Sequence, residues 1–274
     1  MSNSYRNMSA EWLEREYSPS SAIGGDYLPY IEQYITQSQN ARNTLPVQLD
    51  LVYGDRPTQV LDLFHAGGSA CPLHIFIHGG YWQELSHKES SPMAPMLLEQ
   101  GNAFAAINYT LAPDASIEDM ILECQQAIEW LIANADHLDI DAGDLTISGH
   151  SAGAQLISMS LLRWKELGSD IFRRIRKVLL ISGIYDLTPL LSTSINIELG
   201  LDHEAALQLS PAHRPAKFDM PVVVIVAEQD TGEFRRQARE YYQQLKTQGS
   251  RVDFLEVIGK NHFDIILAPI YDCY

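Results

Sequence analysis

Leu145-Thr-Ile-Ser148, followed directly by Gly149-His-Ser-Ala-Gly153, is the stretch that decides the fold. The short apolar run reads as a strand. The G-x-S-x-G pattern after it reads as a sharp strand-to-helix turn with Ser151 at its apex. Such a turn forces strained backbone angles on the serine and brings neighbouring segments close, and the two glycines remove side chains that would clash there. A serine is a weak nucleophile unless a base and an oxyanion stabiliser stand beside it. Alone, the five residues fit a catalytic elbow or a plain strand–helix turn.

Apolar runs and helical patterns alternate outward from this point. The predicted strands are Val47–Tyr53, Gln59–Phe64, Leu73–His78, Ala103–Tyr109, Leu145–Ser148, Val178–Ser182, Val222–Ala227 and Val252–Ile258. Runs such as Val222-Val-Val-Ile-Val226 show no polar alternation, which suits strands buried on both faces of a parallel sheet. Gly54-Asp-Arg-Pro57 between the first two runs predicts an antiparallel hairpin. Helices are predicted over Ser116–Ala135, opened by the capping pattern Ser116-Ile-Glu-Asp119, over Ala152–Leu167 and over Glu233–Gln248. The expected fold class is therefore α/β: a mostly parallel, doubly wound sheet of eight strands with helices on both faces and an early hairpin.

The 274 residues, 46% of them hydrophobic, suffice for one substantial core, and residues 1–274 are read as one domain. Two stretches break the alternation. Residues 1–45 hold Trp12, Tyr17, Tyr27, Tyr30 and Tyr34, too many aromatics for a disordered tail. Residues 184–220 form a polar insert with Pro189, Pro211 and Pro215, expected to pack near the active site or over a sheet edge.

A net charge of −16 argues against nucleic-acid binding by phosphate neutralisation. The short basic cluster Arg173-Arg174-Ile-Arg176-Lys177 reads as a solvated helix end before a strand. Three cysteines, Cys71, Cys124 and Cys273, form no CxxC pair, and an odd number argues against a disulfide framework. The polar start Met1-Ser-Asn-Ser-Tyr-Arg has no apolar signal core, and no apolar run is long enough to span a bilayer. A cytoplasmic protein without membrane association is expected.

Functional groups of a parallel sheet gather at the carboxyl ends of its strands. His262, in Gly259-Lys-Asn-His262-Phe-Asp, follows the last predicted strand and is the expected general base. His150 adjoins Ser151 but points elsewhere. His74 and His78 share one strand face without a third metal ligand in view. Asp230, in Glu228-Gln-Asp230 after Val222–Ala227, is the expected carboxylate to orient the base, with Glu228 as the alternative and helix capping as the plain role. The order Ser151…Asp230…His262 is that of α/β-hydrolases. The N–H of Ala152 and those of Gly79 and Gly80, in His78-Gly-Gly-Tyr-Trp82, are the expected oxyanion donors.

These residues, with Ser182-Gly-Ile-Tyr-Asp186-Leu, Asn261-His-Phe-Asp264-Ile-Ile and Leu13-Glu-Arg-Glu-Tyr-Ser-Pro-Ser20, resemble the kynurenine formamidases (arylformamidases), α/β-hydrolases near the hormone-sensitive-lipase-like esterases. The resemblance runs from about residue 10 to 268. It implies Ser151 as nucleophile, Asp230 as orienting acid, His262 as base, and Gly79, Gly80 and Ala152 at the oxyanion positions. Tyr81 departs from the lipase-like His-Gly-Gly-Gly pattern, narrows the acyl side and suits a formyl group. The implied reaction is hydrolysis of N-formyl-L-kynurenine to L-kynurenine and formate in tryptophan degradation, with no metal or organic cofactor. Tyr81, Trp82 and Tyr185 are expected to line an aromatic pocket, core packing being the plain role of Trp82 and Tyr185. The expected partner is a small aromatic formamide or ester, and a homodimer is compatible with the reading. The competing readings are a carboxylesterase of unassigned substrate, a non-catalytic binding protein on the same fold, and a metal-dependent amidase, which would need a His/Asp/Glu cluster.

Overall fold

Strict alternation of buried side chains organises the molecule. The computed structural model describes residues 8–271. Its eight strands are β1 (Val47–Val52), β2 (Val60–Phe64), β3 (Cys71–Ile77), β4 (Ala103–Ile107), β5 (Ile140–His150), β6 (Ile175–Ile181), β7 (Val222–Ala227) and β8 (Val252–Val257). They form one sheet in the order β1-β2-β4-β3-β5-β6-β7-β8. β1 and β2 form the antiparallel hairpin, β2 also runs antiparallel to β4, and all remaining pairs are parallel. Each predicted strand is present.

In β7, Val222, Val224 and Val226 enter one core while Val223, Ile225 and Ala227 enter the other. β4 and β6 divide in the same way. Because successive strand side chains point to opposite faces, a run that is apolar at every position needs cover on both sides. α4 (Ile117–Ala133), α5 (Ala152–Glu166) and α8 (Gly232–Thr247) give that cover on one face. α2 (Leu28–Thr44), α3 (Ala94–Glu99) and the segment around Ile265–Tyr271 give it on the other. Ser116 caps α4 as the sequence predicts, its hydroxyl accepting from the Asp119 N–H while Asp119 accepts from the Ser116 N–H.

The N-terminal aromatics are ordered elements. α1 (Ala10–Glu16) leads through a short 3₁₀ turn, Pro19–Ile23, into α2. Tyr17 is buried and its hydroxyl donates to Glu233 Oε2 (2.8 Å), while Thr231 Oγ1 donates to the Glu16 carbonyl (2.5 Å). These bonds tie α1 to the start of α8. The 184–220 insert contains two short helices, α6 (Asn196–Leu199) and α7 (His203–Gln208), between 3₁₀ turns. Cys71 and Cys124 are free thiols, and Cys273 lies outside the described residues. Among the described residues no helix is long and apolar enough to cross a membrane.

The elbow joins β5 to α5. A Cβ built on Gly153 would lie 2.1 Å from the Ile77 carbonyl oxygen and 2.7 Å from that of His78. One built on Gly149 would lie 2.6 Å from the Gly153 carbonyl. Both clashes are with backbone, so no side chain can swing aside. Gly153→Ala is therefore expected to cost about 3 kcal/mol, read as a lower urea midpoint at unchanged m value. Wild-type stability in this variant would contradict the close approach.

Candidate active site

Ser151 sits at φ 54°, ψ −117°, angles that non-glycine residues seldom adopt. Its N–H donates to the Ile181 carbonyl at 2.8 Å, which pins the apex of the turn to the end of β6. The serine lies in the wall of a cavity of about 370 Å³, and His262 lines the same cavity. Ala152 is the first residue of α5, and the first-turn N–H groups of a helix lack intrahelical acceptors.

β7 and β8 supply the partners. His262 Nδ1 lies 2.6 Å from Asp230 Oδ1, both side chains being buried. The second carboxylate oxygen of Asp230 accepts from Ser182 Oγ (2.6 Å) and from the Ala227 N–H (2.9 Å). Burial pushes the Asp230 carboxyl up, but His262 and these two donors outweigh it and hold the group below the usual carboxylate range. Asp230 is thus ionised and aimed. The helix-capping alternative does not describe it, since both its oxygens face His262, Ser182 and Ala227. Glu228 instead accepts from the Gly259 N–H at 2.7 Å, away from the histidine.

The loop carrying His262 is held from below by Asn261, whose Oδ1 accepts from the N–H groups of Phe263 (2.9 Å) and Asp264 (3.1 Å). It is held from above by the N-terminal segment. Tyr27 and Tyr30 stack on Phe263 at 5.3 and 5.7 Å, Asn261 Nδ2 donates to the Tyr30 hydroxyl, and the Tyr34 hydroxyl donates to the Phe263 carbonyl. His150 packs beneath, donating from Nε2 to the His262 carbonyl (2.8 Å). Burial, reinforced by His262, lowers its pKa to about 3, so it is a neutral support beside His262.

The His78–Trp82 loop brings Gly80 to the cavity wall at φ 95°. A Cβ there would meet the Glu84 carbonyl oxygen at 2.2 Å. Gly79 lies behind, where a Cβ would stand 2.9 Å from Ser151 Cβ. Tyr81 lines the cavity, and its hydroxyl donates to the Tyr17 carbonyl.

Two of the expected pocket residues are placed away from the cavity. Trp82 is fully buried and donates from its indole to Gln155 Oε1 (3.1 Å), and Tyr185 is buried and stacked on Tyr241 at 4.2 Å. Neither lines the cavity. The loop winds through positive φ at Gly80, Tyr81 and Trp82, which turns the tyrosine toward the cavity and the tryptophan into the core. The aromatic walls come instead from Tyr17, Tyr27, Tyr34 and Phe263, with Ser194 and Ile195 of the insert. Sequence reading also missed Ser182, although its place at the end of β6, level with the elbow, was a usable signal.

His74 Nε2 pairs with Ser148 Oγ (2.6 Å) and His78 Nδ1 with the Gly79 carbonyl (2.9 Å). Asp50, Asp62 and His87 do form a cluster of metal-ligand geometry, but Arg42 Nε stands 3.2 Å from Asp62 and His87 2.9 Å from Asp50, and none of the three residues lines the cavity.

An eight-stranded, mostly parallel sheet with a glycine-flanked serine elbow, and with an Asp–His pair after its last two strands, defines an α/β-hydrolase. The BD-FAE family model matches residues 61–245. Kynurenine formamidases from Danio rerio and Salmo salar are each 33% identical to this chain, covering 98% and 96% of it and 94% and 92% of their own lengths. The chain belongs to the kynurenine formamidase family. A solved structure from Silicibacter sp. tm1040, described as a candidate thioesterase, superposes with a TM-score of 0.84 at 30% identity over 95% of this chain and 96% of that one. The Pyrobaculum calidifontis esterase shares the fold at a TM-score of 0.73 and 20% identity, covering 95% of this chain and 91% of that chain. The chain is accordingly a hydrolase of the esterase and formamidase kind.

Three histidines of this region are held neutral by burial: His74 at a pKa of about 3, His78 at about 4 and His150 at about 3, against 6.5 in an unfolded chain. The unfolded state then binds protons that the folded state refuses. Stability from this source is complete above pH 6.5 and is lost as pH falls toward 4, by up to about 1.4 kcal/mol per pH unit for each histidine. Urea midpoints measured from pH 7.5 to 5 should fall steeply, and His74→Gln should reduce the slope by about a third. A flat profile would contradict neutral burial.

Proposed function

We propose that Ser151, activated by His262 and Asp230, hydrolyses N-formyl-L-kynurenine to L-kynurenine and formate, a step of tryptophan degradation. The observation that carries this reading is the 2.6 Å Asp230–His262 contact, which leads into the cavity that His262 shares with Ser151. Asp230 fixes the proton on Nδ1, so Nε2 is the free base that takes the Ser151 proton as Oγ attacks the formyl carbon. The N–H groups of Ala152, Gly80 and Gly79 receive the oxyanion. His262 then protonates the departing aniline nitrogen, and water, deprotonated by the same ring, releases formate from the serine. An arylamine leaves more easily than an alkylamine because its lone pair is delocalised into the ring. Tyr81, anchored to the Tyr17 carbonyl, narrows the acyl side to a formyl group.

An esterase reading has its own support. The thioesterase-described structure is 30% identical, and the isoprenylcysteine α-carbonyl methylesterase of Arabidopsis thaliana is 24% identical over 81% of this chain. The decisive measurement is kcat/KM for N-formyl-L-kynurenine against short p-nitrophenyl esters. Formylkynurenine should be preferred, and esters ahead by orders of magnitude would move the assignment to the carboxylesterases.

Ser151→Ala should lower kcat by at least about 10⁴-fold on either substrate. Full activity in that variant would end the serine mechanism. Ser182→Ala removes one charge-assisted bond to Asp230 and should lower kcat about tenfold with KM little changed.

A further inference from the structure

Charge in the cavity is one-sided. Glu14 and Glu84 line it, and among the described residues no lysine or arginine does. Glu14 is already engaged: its two oxygens accept from the N–H (2.8 Å) and the hydroxyl of Ser194, tying α1 to the insert. Glu84 is different. Its side chain is at the exposed mouth, and its partner is the Tyr27 hydroxyl at 3.5 Å, a long contact that leaves acceptor capacity free.

Resting on the formamidase reading above, we infer that Glu84, with the Tyr27 hydroxyl beside it, accepts the α-ammonium group of the substrate's amino-acid end, so that the site reads the ammonium and gives the carboxylate no counter-charge. The backbone sets the spacing. The Glu84 N–H donates to the Gly80 carbonyl at 2.9 Å, which puts Glu84 one turn from the oxyanion loop. In formylkynurenine the formyl and ammonium groups are separated by one ring and a short carbonyl linker. Tyr81, Tyr27 and Phe263 line the same cavity and offer the ring aromatic walls between those two ends. A carboxylate lined up with Glu14 and Glu84 gains nothing from the field of the cavity, whereas a cation is drawn in by it. The Tyr27 phenol is pushed up by burial and by Glu84, as a negative site of this kind requires.

The test compares four formanilides on the whole protein: N-formyl-L-kynurenine, N-formylkynuramine (ammonium, no carboxylate), the deamino acid (carboxylate, no ammonium) and ortho-formamidoacetophenone (neither). Wild-type kcat/KM for the kynuramine probe should lie within about threefold of that for formylkynurenine, and the deamino acid should fall about tenfold or more below both. Glu84→Gln should lower the preference for the ammonium probe over the neutral one about tenfold, mainly through KM. A deamino acid as good as formylkynurenine, or a Glu84→Gln loss equal on all four probes, overturns the assignment. Should no formanilide be cleaved while p-nitrophenyl acetate is, the formamidase reading itself fails. Glu84 is then judged by inhibition of ester hydrolysis. Kynuramine should inhibit about tenfold more tightly than neutral ortho-aminoacetophenone, with the difference erased in Glu84→Gln, and equal inhibition overturns the inference.

Discussion

The approach of Gly153 to the carbonyl ends of β3 is the contact on which the site depends. At 2.1 Å from a would-be Cβ to the Ile77 oxygen, α5 is as near the sheet as a helix start can come. The same tight packing sets Gly79 against Ser151, where an added Cβ would stand 2.9 Å from the serine Cβ. It also forces Ser151 into angles that cost about 1–3 kcal/mol, a cost that local bonding must offset. The Ser151 N–H to Ile181 carbonyl bond and the fully buried surroundings of the turn supply that support.

Electrostatics around the elbow follow from the same closeness. Burial keeps His150 neutral, and it spends its Nε2 proton on the His262 carbonyl. Both rings line the cavity, and His150 is tied to the backbone of its neighbour. Asp230 is buried too, but three partners offset its burial, and it stays charged. Both groups thus give up a proton for different reasons, burial disfavouring the His150 cation and the donors around Asp230 favouring its anion, so one is neutral and the other charged.

The N-terminal segment completes the site. α1 docks on the start of α8, immediately after Asp230, through Tyr17 and Glu16. The Tyr27–Tyr30–Phe263 stack and the Tyr34 bond press on the loop after β8, next to His262. One segment of chain therefore braces both Asp230 and His262, and it roofs the cavity beside Ser151.

Sequence alone determined the sheet, the elbow and the chain order of Ser151, Asp230 and His262, because each is written in a local pattern: unbroken apolar strands, glycines two apart from a serine, polar residues just past strand ends. The eight strands and the α4 cap needed no more. Trp82 and Tyr185 show the limit. Tyr81, next to Trp82, lines the cavity, yet a few positive φ angles and a stacking partner on α8 decide which rings face the cavity and which the core. Ser182 and Glu84 acquire their meaning only from residues 48 and 57 positions away. Such pairings arise when distant segments pack, and no spacing along the chain records them. Local covalent order was enough for the catalytic frame; the walls and the charge of the cavity belong to the tertiary structure.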